Sequence, residues 1–309
     1  MSDRPRHQQF SILASALSPD AREAARAART TGFNGMLFQP RGGDINLTDL
    51  SSTGRREFLH VLSGENQQLV GLTVDVGAKG FGPGADIDRL IDRLERVMEA
   101  SAELHAPLVC VELGPLPEPP RVEKPKPKIK PEEAGLIIIP TTTFQPEAHP
   151  TPAPVEPDPG PREYWTAQLD DTLNTLGARA DRYSVTLAFR SALASFAAIE
   201  HAIARSNCPW FGIDLDPVAM LRDAWDRHEI FSRLGPLIRH VRGRDALLGA
   251  DRRTKPAPIG QGATDWSELL TLLDEAGYAS WITIDPTELP DRATSAAAAL
   301  RHLRALQTS

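Results

Sequence analysis

The chain has 309 residues, enough for one large α/β barrel, for which ~250 residues is typical. Its apolar content of 41% supports one sizeable core and excludes an intrinsically disordered chain. The formal net charge of −7 argues against nonspecific binding to nucleic acid or anionic lipid, because such binding needs a basic surface.

The N-terminal residues 1–9 are mostly polar and lack the apolar core of a secretory signal peptide. No apolar run approaches the ~20 residues of a membrane span. We therefore expect a cytoplasmic protein with neither a membrane nor a nucleic acid as partner. Cys110 and Cys208 are the two cysteines, and both lie in or beside apolar stretches, which predicts buried free thiols.

Short apolar runs alternate with segments of helical periodicity. Strands are predicted at Phe10–Ser15, Phe33–Phe38, Leu69–Val76, Pro107–Leu113, Ser184–Phe189, Trp210–Leu215, Leu237–Val241 and Trp281–Ile284. Helices are predicted at Ala21–Thr31, Arg55–Gln67, Asp86–His105, Tyr164–Asp181, Phe196–Arg205, Val218–Ser232, Asp265–Ala276 and Thr294–Leu306. Eight alternating pairs predict parallel crossovers and a closed α/β barrel, the (β/α)8 TIM barrel. The alternative is an open doubly wound sheet, which usually has a glycine-rich turn after strand one, and residues 14–19 are not such a turn.

A proline-rich insertion at residues 115–161 interrupts the single barrel domain predicted for residues 1–309. It holds 15 of the 27 prolines, and proline removes a backbone donor and blocks helix formation. Because it follows strand four, it is expected at the carboxyl-terminal face, where active sites of this fold lie, and could form a lid. Its apolar run Ala134–Pro140 is expected to dock on the barrel or on a second subunit, giving a homo-oligomer; the alternative is a solvated linker.

The stretch Pro258–Tyr278 reads as a glycine turn and a capped amphipathic helix that stops at Gly277. The buried strand Trp281–Ile284 and then Asp285 follow it. This stretch closely resembles the last β/α unit of the sugar-phosphate isomerase/epimerase family, the xylose isomerase-like TIM barrels. The resemblance covers roughly residues 10–113 and 163–306. It implies a TIM barrel and an isomerase or epimerase that acts on a small carbohydrate.

The resemblance also implies where a metal would bind. In this family four residues at the ends of strands five to eight bind one divalent cation. They are a Glu, an Asp in an Asp-x-x-His motif, a His three residues before an Asp, and a Glu. Here Arg190 falls at the first Glu position and Arg242 at the His position of strand seven. Asp216 is kept, but Ala219 stands at the His of its motif. Asp285 replaces the final Glu and is one methylene shorter.

The two arginines change the chemistry expected at this ring of residues. Arginine is charged at all accessible pH and cannot ligate a metal. We therefore expect no cofactor, and a divalent metal such as Mn²⁺ or Mg²⁺ only if the assigned register is wrong. Either Arg190 and Arg242 pair with carboxylates and fill the site with salt bridges, or they bind a sugar phosphate or sugar acid. In the second case Asp216 or Asp285 would act as acid or base.

Three more polar residues belong to this end of the barrel. His240 lies two residues before Arg242 on the same side of the strand, one layer deeper. It is either a ligand contact or a core residue whose ring nitrogens are satisfied within the protein. Glu112 ends strand four and is either a substrate contact and general base or a structural partner of an arginine. Asp245 is expected to pair with Arg242 or Arg244.

Two functions stay open at this point. The first is an isomerase or epimerase relative that acts on or binds a small anionic carbohydrate without the family's metal. The second is a catalytically inactive barrel that serves as a carbohydrate-binding or scaffold protein. A solvent-open pocket lined by unpaired arginines would favour the first, and a pocket closed by Arg–Asp pairs would favour the second. Endonuclease activity, known for metal-rich relatives of this barrel, is not expected because the chain is acidic and lacks a cluster of His and acids.

Overall fold

Eight parallel strands form a closed barrel in the computed structural model, which describes residues 8–43, 45–119, 161–191, 193–250 and 252–308. The strands are β1 Gln9–Leu13, β2 Gly35–Phe38, β3 Gln68–Asp75, β4 Leu108–Glu112, β5 Thr186–Arg190, β6 Phe211–Leu215, β7 Ile238–Gly243 and β8 Trp281–Ile284. Closure comes from parallel pairing of β1 with β8. The prediction of a (β/α)8 barrel is confirmed, and the open-sheet alternative is wrong.

Helices follow the strands on the outside of the barrel. They are α1 Ala21–Thr31, α2 Ser52–Gly64, α3 Ile87–Glu103, α4 Pro161–Tyr183, α5 Phe196–Ser206, α6 Pro217–Asp223, α7 Arg227–Leu234, α8 Trp266–Glu275 and α9 Arg292–Gln307. The single helix predicted at Val218–Ser232 is wrong, since α6 ends where Ala224 adopts a φ of 49°. Asp226 then begins α7 by accepting a hydrogen bond from Glu229 N–H at 2.8 Å.

Two short antiparallel hairpins, which the sequence did not predict, extend the loops at the carboxyl-terminal end of the barrel. Arg41–Gly42 pairs with Ile45–Asn46 after β2. Asp245–Leu248 pairs with Thr254–Ala257 after β7. Both add side chains to the end of the barrel at which this fold places its ligands.

Alternation along the strands separates two kinds of interior. One set of side chains, including Phe10 and Ile12, packs in the large apolar cluster shared with the helices. The other set faces the barrel axis, and its apolar members form a separate small cluster of Leu13, Leu37, Val70, Cys110, Ala188 and Trp281. Buried polar residues share this axis: Ser11, Thr73, Asp214, His240, Arg242 and Thr283. Because branched apolar residues dominate the usual interior of this fold, the polar set points to a specialised centre.

Several sequence predictions concern parts of the chain near or beyond the described residues. Most of the segment 115–161, with its apolar run Ala134–Pro140 and the lid and oligomer contacts expected of it, lies outside them. Leu116, at its beginning, is buried against the barrel.

Of the two free cysteines, Cys110 is buried and Cys208 is half-buried. In the described part of the chain, the helices are all too short or too polar to cross a membrane.

Candidate functional site

A buried arginine, Arg242 of β7, lies in the middle of the carboxyl-terminal end of the barrel. Only 2% of its side chain is exposed. Its Nε donates to Asp214 Oδ2 at 3.1 Å, and one terminal nitrogen donates to Asp285 Oδ2 at 3.3 Å. The other terminal nitrogen donates to Thr73 Oγ1 at 2.6 Å. One guanidinium group thus joins three strands or strand ends and is shared by two carboxylates.

Charge keeps Arg242 protonated in this buried position. Burial alone would lower its pKa, but the negative charges of Asp214 and Asp285 raise the pKa above its usual value. A buried guanidinium is stable only when it is paired in this way.

Asp214 of β6 is the acceptor at the centre of the network, and its side chain is fully buried. Besides Arg242, it accepts from His240 Nδ1 at 2.6 Å and lies 3.5 Å from Arg190 Nε. Burial alone would raise the pKa of Asp214, but Arg242, His240 and Arg190 outweigh burial and hold the pKa well below its usual range. The residue is therefore a carboxylate at neutral pH.

His240 lies one layer deeper in the barrel and is fully buried. Its Nδ1 contacts Asp214 Oδ1, and its Nε2 lies 2.6 Å from Thr283 Oγ1. Thr283 Oγ1 in turn lies 2.7 Å from Ser11 Oγ. Since both ring nitrogens have partners inside the protein, the geometry corresponds to a satisfied core histidine, one of the two roles considered from sequence.

Arg190 and Glu112 lie side by side at the solvent edge of this network, because β4 and β5 pair them directly. A terminal nitrogen of Arg190 lies 3.3 Å from Glu112 Oε2. Their side chains are 19% and 13% exposed. Among the described residues, Nε of Arg190 makes an ion pair with Asp214 but no hydrogen bond. Arg190 is therefore the arginine of the network that a ligand can still reach.

Asp216 does not join the two arginines with which the sequence analysis grouped it. Its Oδ2 accepts from Arg244 at 3.1 Å, and its Oδ1 caps α6 by accepting from Val218 N–H at 3.0 Å. Arg244 also donates to Glu288 at 2.7 Å. The carboxylate shared by Arg190 and Arg242 is Asp214 instead, a residue for which no role was predicted from the sequence.

Asp285 follows β8 and is the second acceptor of Arg242. Its other oxygen accepts from Thr287 N–H at 3.2 Å and from Thr287 Oγ1 at 2.6 Å. Burial alone would raise the pKa of Asp285, but Arg242, Thr287 and Arg244 lower it overall. A carboxylate with a lowered pKa is a weak base at neutral pH, which disfavours proton abstraction by Asp285.

Asp245 was expected to pair with Arg242 or Arg244, and this prediction is wrong. Its buried carboxylate instead accepts hydrogen bonds at 2.9–3.3 Å from Ala246 N, Gly260 N, Gly262 N, Thr264 N and Trp266 Nε1. A Cβ on Gly262 would collide with this carboxylate, so glycine allows the close approach. Asp245 therefore holds the loop between β7 and α8.

Changing Asp245 to asparagine is expected to lower the free energy of unfolding by roughly 2–4 kcal/mol. The asparagine side chain carries no charge, and its NH₂ group would face N–H donors of the loop where the carboxylate offers an acceptor. Urea unfolding at neutral pH measures the change. The matched control is Asp226→Asn, an exposed helix cap where asparagine serves equally well and the loss should stay below about 0.5 kcal/mol. Equal losses in the two variants would contradict the structural role of Asp245.

The positions that the resemblance assigned to metal ligands do not suit a divalent cation. They present Arg190, Ala219 and Arg242, with Asp216 and Asp285 each bound to an arginine. Two guanidinium groups would repel a divalent ion. The residues present therefore do not fit the family's metal.

One buried group in the described part of the chain does bring potential ligand atoms within 4.8 Å of one another, those of Cys110, Asp214 and His240. Asp214 is already bound by Arg242, whose charge opposes a cation here. Burial, followed by the charge of Asp214, raises the pKa of the Cys110 thiol well above its usual value. A protonated thiol is a poor metal ligand, so this group also does not suit a cation.

Three spaces open near the network. One cavity of about 20 Å³ lies beside Asp285 and is also lined by Arg244 and Glu288. A cavity of about 20 Å³ beside Arg190, also lined by Glu112, Asp216 and Trp225, has room for about one water molecule. A much larger open cleft of about 930 Å³ reaches from Thr73 of β3 to the outer helix α3. Only the larger space is of a size that takes a sugar.

Comparison with known proteins places this geometry in a family. The model of the xylose isomerase-like TIM barrel family matches residues 25–306. No curated protein matches the chain.

Solved structures share the fold at low sequence identity. A xylose isomerase domain protein from Planctomyces limnophilus is 14% identical with a TM-score of 0.66, over 98% of this chain and 97% of that chain. D-psicose 3-epimerase from Clostridium cellulolyticum H10 is 12% identical with a TM-score of 0.66, over 97% and 99%. 3-Keto-D-glucoside 4-epimerase from E. coli is 16% identical with a TM-score of 0.64, over 96% and 98%. The TM-scores show a common fold. The family model spans most of the chain, so this chain belongs to the xylose isomerase-like TIM barrel family.

Proposed function

We propose that this protein binds a small anionic carbohydrate at the carboxyl-terminal end of the barrel without a divalent metal. The observation that carries the metal-free part of the proposal is the guanidinium group of Arg242, which is buried and shared by Asp214 and Asp285. Arg242 stands where the family resemblance puts a metal ligand, and its fixed positive charge takes over the charge balance there. The carbohydrate class is supported by the epimerases among the proteins of the same fold.

Arg190 is the proposed contact for one oxygen of the ligand, because the cavity beside it has room for about one water molecule. Its side chain is 19% exposed, whereas that of Arg242 is 2% exposed, so Arg190 is the arginine of the pair that meets solvent. Arginine suits carboxylate and phosphate oxygens in particular because its planar donors match them.

Metal-free epimerisation is a second candidate function. Asp216 favours it, since its side chain lies near the mouth with 10% exposure and could exchange a proton with a ligand. Two observations weigh against turnover: Asp216 and Asp285 are both held by arginine, and a carbon acid is hard to deprotonate without strong stabilisation of the developing charge. Binding without catalysis is therefore the function that the geometry supports best.

Divalent metals are expected to leave the melting temperature unchanged, whereas a suitable sugar acid or sugar phosphate raises it. The reason is that a ligand which binds only the folded state must stabilise that state. Thermal-shift titrations with Mn²⁺, Mg²⁺ and Co²⁺, and with gluconate and fructose 6-phosphate against neutral fructose, measure both effects. Arg190→Gln is the matched variant and should show a smaller carbohydrate shift. One tightly bound metal per chain, removable by a chelator with loss of stability, would contradict the proposal.

Solvent exchange separates binding from epimerisation. A carbohydrate that raises the melting temperature is incubated with the protein in D₂O, and NMR follows deuterium at its carbon atoms. Proton abstraction at carbon by Asp216 would introduce deuterium, and Asp216→Asn would stop it. The binding proposal expects no deuterium in either protein.

A further inference from the structure

The large cleft beside β3 is positively charged although the protein as a whole is acidic. Among its described lining residues, five side chains are cationic and three are acidic, so two positive charges remain. The cations are Arg41, Lys79, Arg89, Arg93 and Arg96, and the acids are Asp49, Asp75 and Asp86. We call this space the arginine cleft.

Three of the cations form a stripe on α3. Arg89, Arg93 and Arg96 are four and three residues apart, which places them on one face of the helix. All three are exposed, and their guanidinium groups have no ion pair or hydrogen bond to any described residue. Like charges at this spacing destabilise a helix by about 0.2–0.5 kcal/mol per pair, and Asp92, three residues from Arg89 and four from Arg96, offsets this in part.

The described acids of the arginine cleft accept hydrogen bonds in local turns and make no ion pair with the stripe. Asp75 accepts from Gly77 N–H at 2.7 Å. Asp86 caps α3 by accepting from Arg89 N–H at 3.2 Å. Asp49 accepts from the side chains of Asn46 and Thr48 in the loop after β2.

The adjoining face of α3 is acidic and is used differently. Its Glu95 lies 3.3 Å from Arg179 and 3.6 Å from Arg182 of α4, so this face is bound to its neighbouring helix. Asp92 and Glu99 border the stripe on this side. An extended polyanion such as nucleic acid would meet these acids at the edge of the cleft, whereas a compact anion inside the cleft would not.

We propose that the arginine cleft binds the phosphate group of a phosphorylated sugar. Arg89 and Arg93 would supply most of the contacts, because guanidinium groups match phosphate oxygens in charge and geometry. The inner end of the cleft is lined by Thr73, which accepts a hydrogen bond from Arg242, so the cleft ends one residue away from the network at the barrel mouth. That the ligand contains a sugar rests on the proposed function. That the cleft binds a phosphate group rests on the residues of the cleft alone.

Titration calorimetry at an ionic strength of about 0.1 M, where the Debye length is about 10 Å, tests the assignment with three probes: inorganic phosphate, fructose 6-phosphate and fructose. The double variant R89Q/R93Q is expected to bind inorganic phosphate and fructose 6-phosphate about tenfold more weakly than the wild type, a change that corresponds to about 1.4 kcal/mol. The matched control is R292Q/R301Q, which removes the same charge from exposed arginines of α9 outside the cleft. Its affinities should stay within about twofold of the wild type, since distant surface charges are screened.

The outcomes separate this inference from the proposed function. Phosphate binding that depends on Arg89 and Arg93 would support the phosphate site in the cleft. Fructose 6-phosphate that binds no more tightly than inorganic phosphate would count against the carbohydrate site at the mouth, but not against the phosphate site. Loss of the sugar contribution alone in Arg190→Gln would support both. Equal affinities in R89Q/R93Q and in the control, or no phosphate binding by the wild type, would overturn the assignment. Both surface variants should keep the wild-type melting temperature within a few degrees.

Discussion

Replacing Arg242 by methionine is expected to lower the free energy of unfolding by roughly 3–5 kcal/mol at neutral pH. Methionine fills a similar volume but leaves the carboxylates of Asp214 and Asp285 without their shared cation. Removing one partner of a buried ion pair strands the other charge in a poorly solvated environment, and that penalty dominates the loss. Urea unfolding gives the value, with an unchanged slope showing that only stability has altered.

Two controls make the Arg242 result specific. Arg301→Met makes the same change on the exposed face of α9 and should cost less than about 0.5 kcal/mol. The double variant R242M/D214N should be less destabilised than the sum of its single changes, because it removes both charges of one pair. A loss below about 1 kcal/mol in Arg242→Met would mean that solvent reaches the network and that its charges are not stranded.

Replacing Asp214 by asparagine is expected to change how stability depends on pH. The folded-state pKa of Asp214 lies below its unfolded value of ~3.9, so its ionisation stabilises the fold above that pH. This contribution disappears as the pH falls from about 4 through the lowered folded-state pKa. Asp214→Asn should therefore be several kcal/mol less stable at pH 7 and lose less additional stability on acidification than the wild type. Unfolding free energies at pH 7, 5, 4 and 3 give the comparison.

Asp285 provides the reference for that experiment. Its pKa is also lowered, and its stabilisation is lost on acidification with the same sign, so Asp285→Asn should flatten the pH dependence as well. Asp214 has three cationic or protonatable neighbours where Asp285 has fewer, so the larger effect is expected at Asp214. Parallel curves for Asp214→Asn and the wild type would show that Asp214 is not the main source of acid sensitivity.

Sequence patterns were sufficient for the barrel and for the end of it that carries the polar network. Strand lengths, helix periodicity and the turn around Gly260 all depend on local spacing, which the sequence displays directly. The residues at strand ends, Glu112, Arg190 and Asp285, could be placed for the same reason.

The pairing inside the network could not be predicted. β6 and β7 shift register next to Asp214, so Asp214 stands opposite His240 and within reach of Arg242, while Asp216 turns to Arg244. Thr73 is far from Arg242 in sequence, and only closure of the barrel brings them together. Asp245 was predicted to pair with an arginine because it follows Arg242 and Arg244 closely in sequence. Its actual partners are backbone N–H groups of residues 260–264, which only the folded loop brings next to it.

The shared guanidinium also limits how this barrel can change over time. Replacing Arg242 alone strands two carboxylates, and replacing Asp214 alone strands the positive charges of Arg242 and Arg190. Either intermediate loses much of the marginal stability of a folded domain. Substitutions at these positions are therefore expected to occur together, so among related chains the identities at 214 and 242 should covary. A metal site at these positions would need several changes at once.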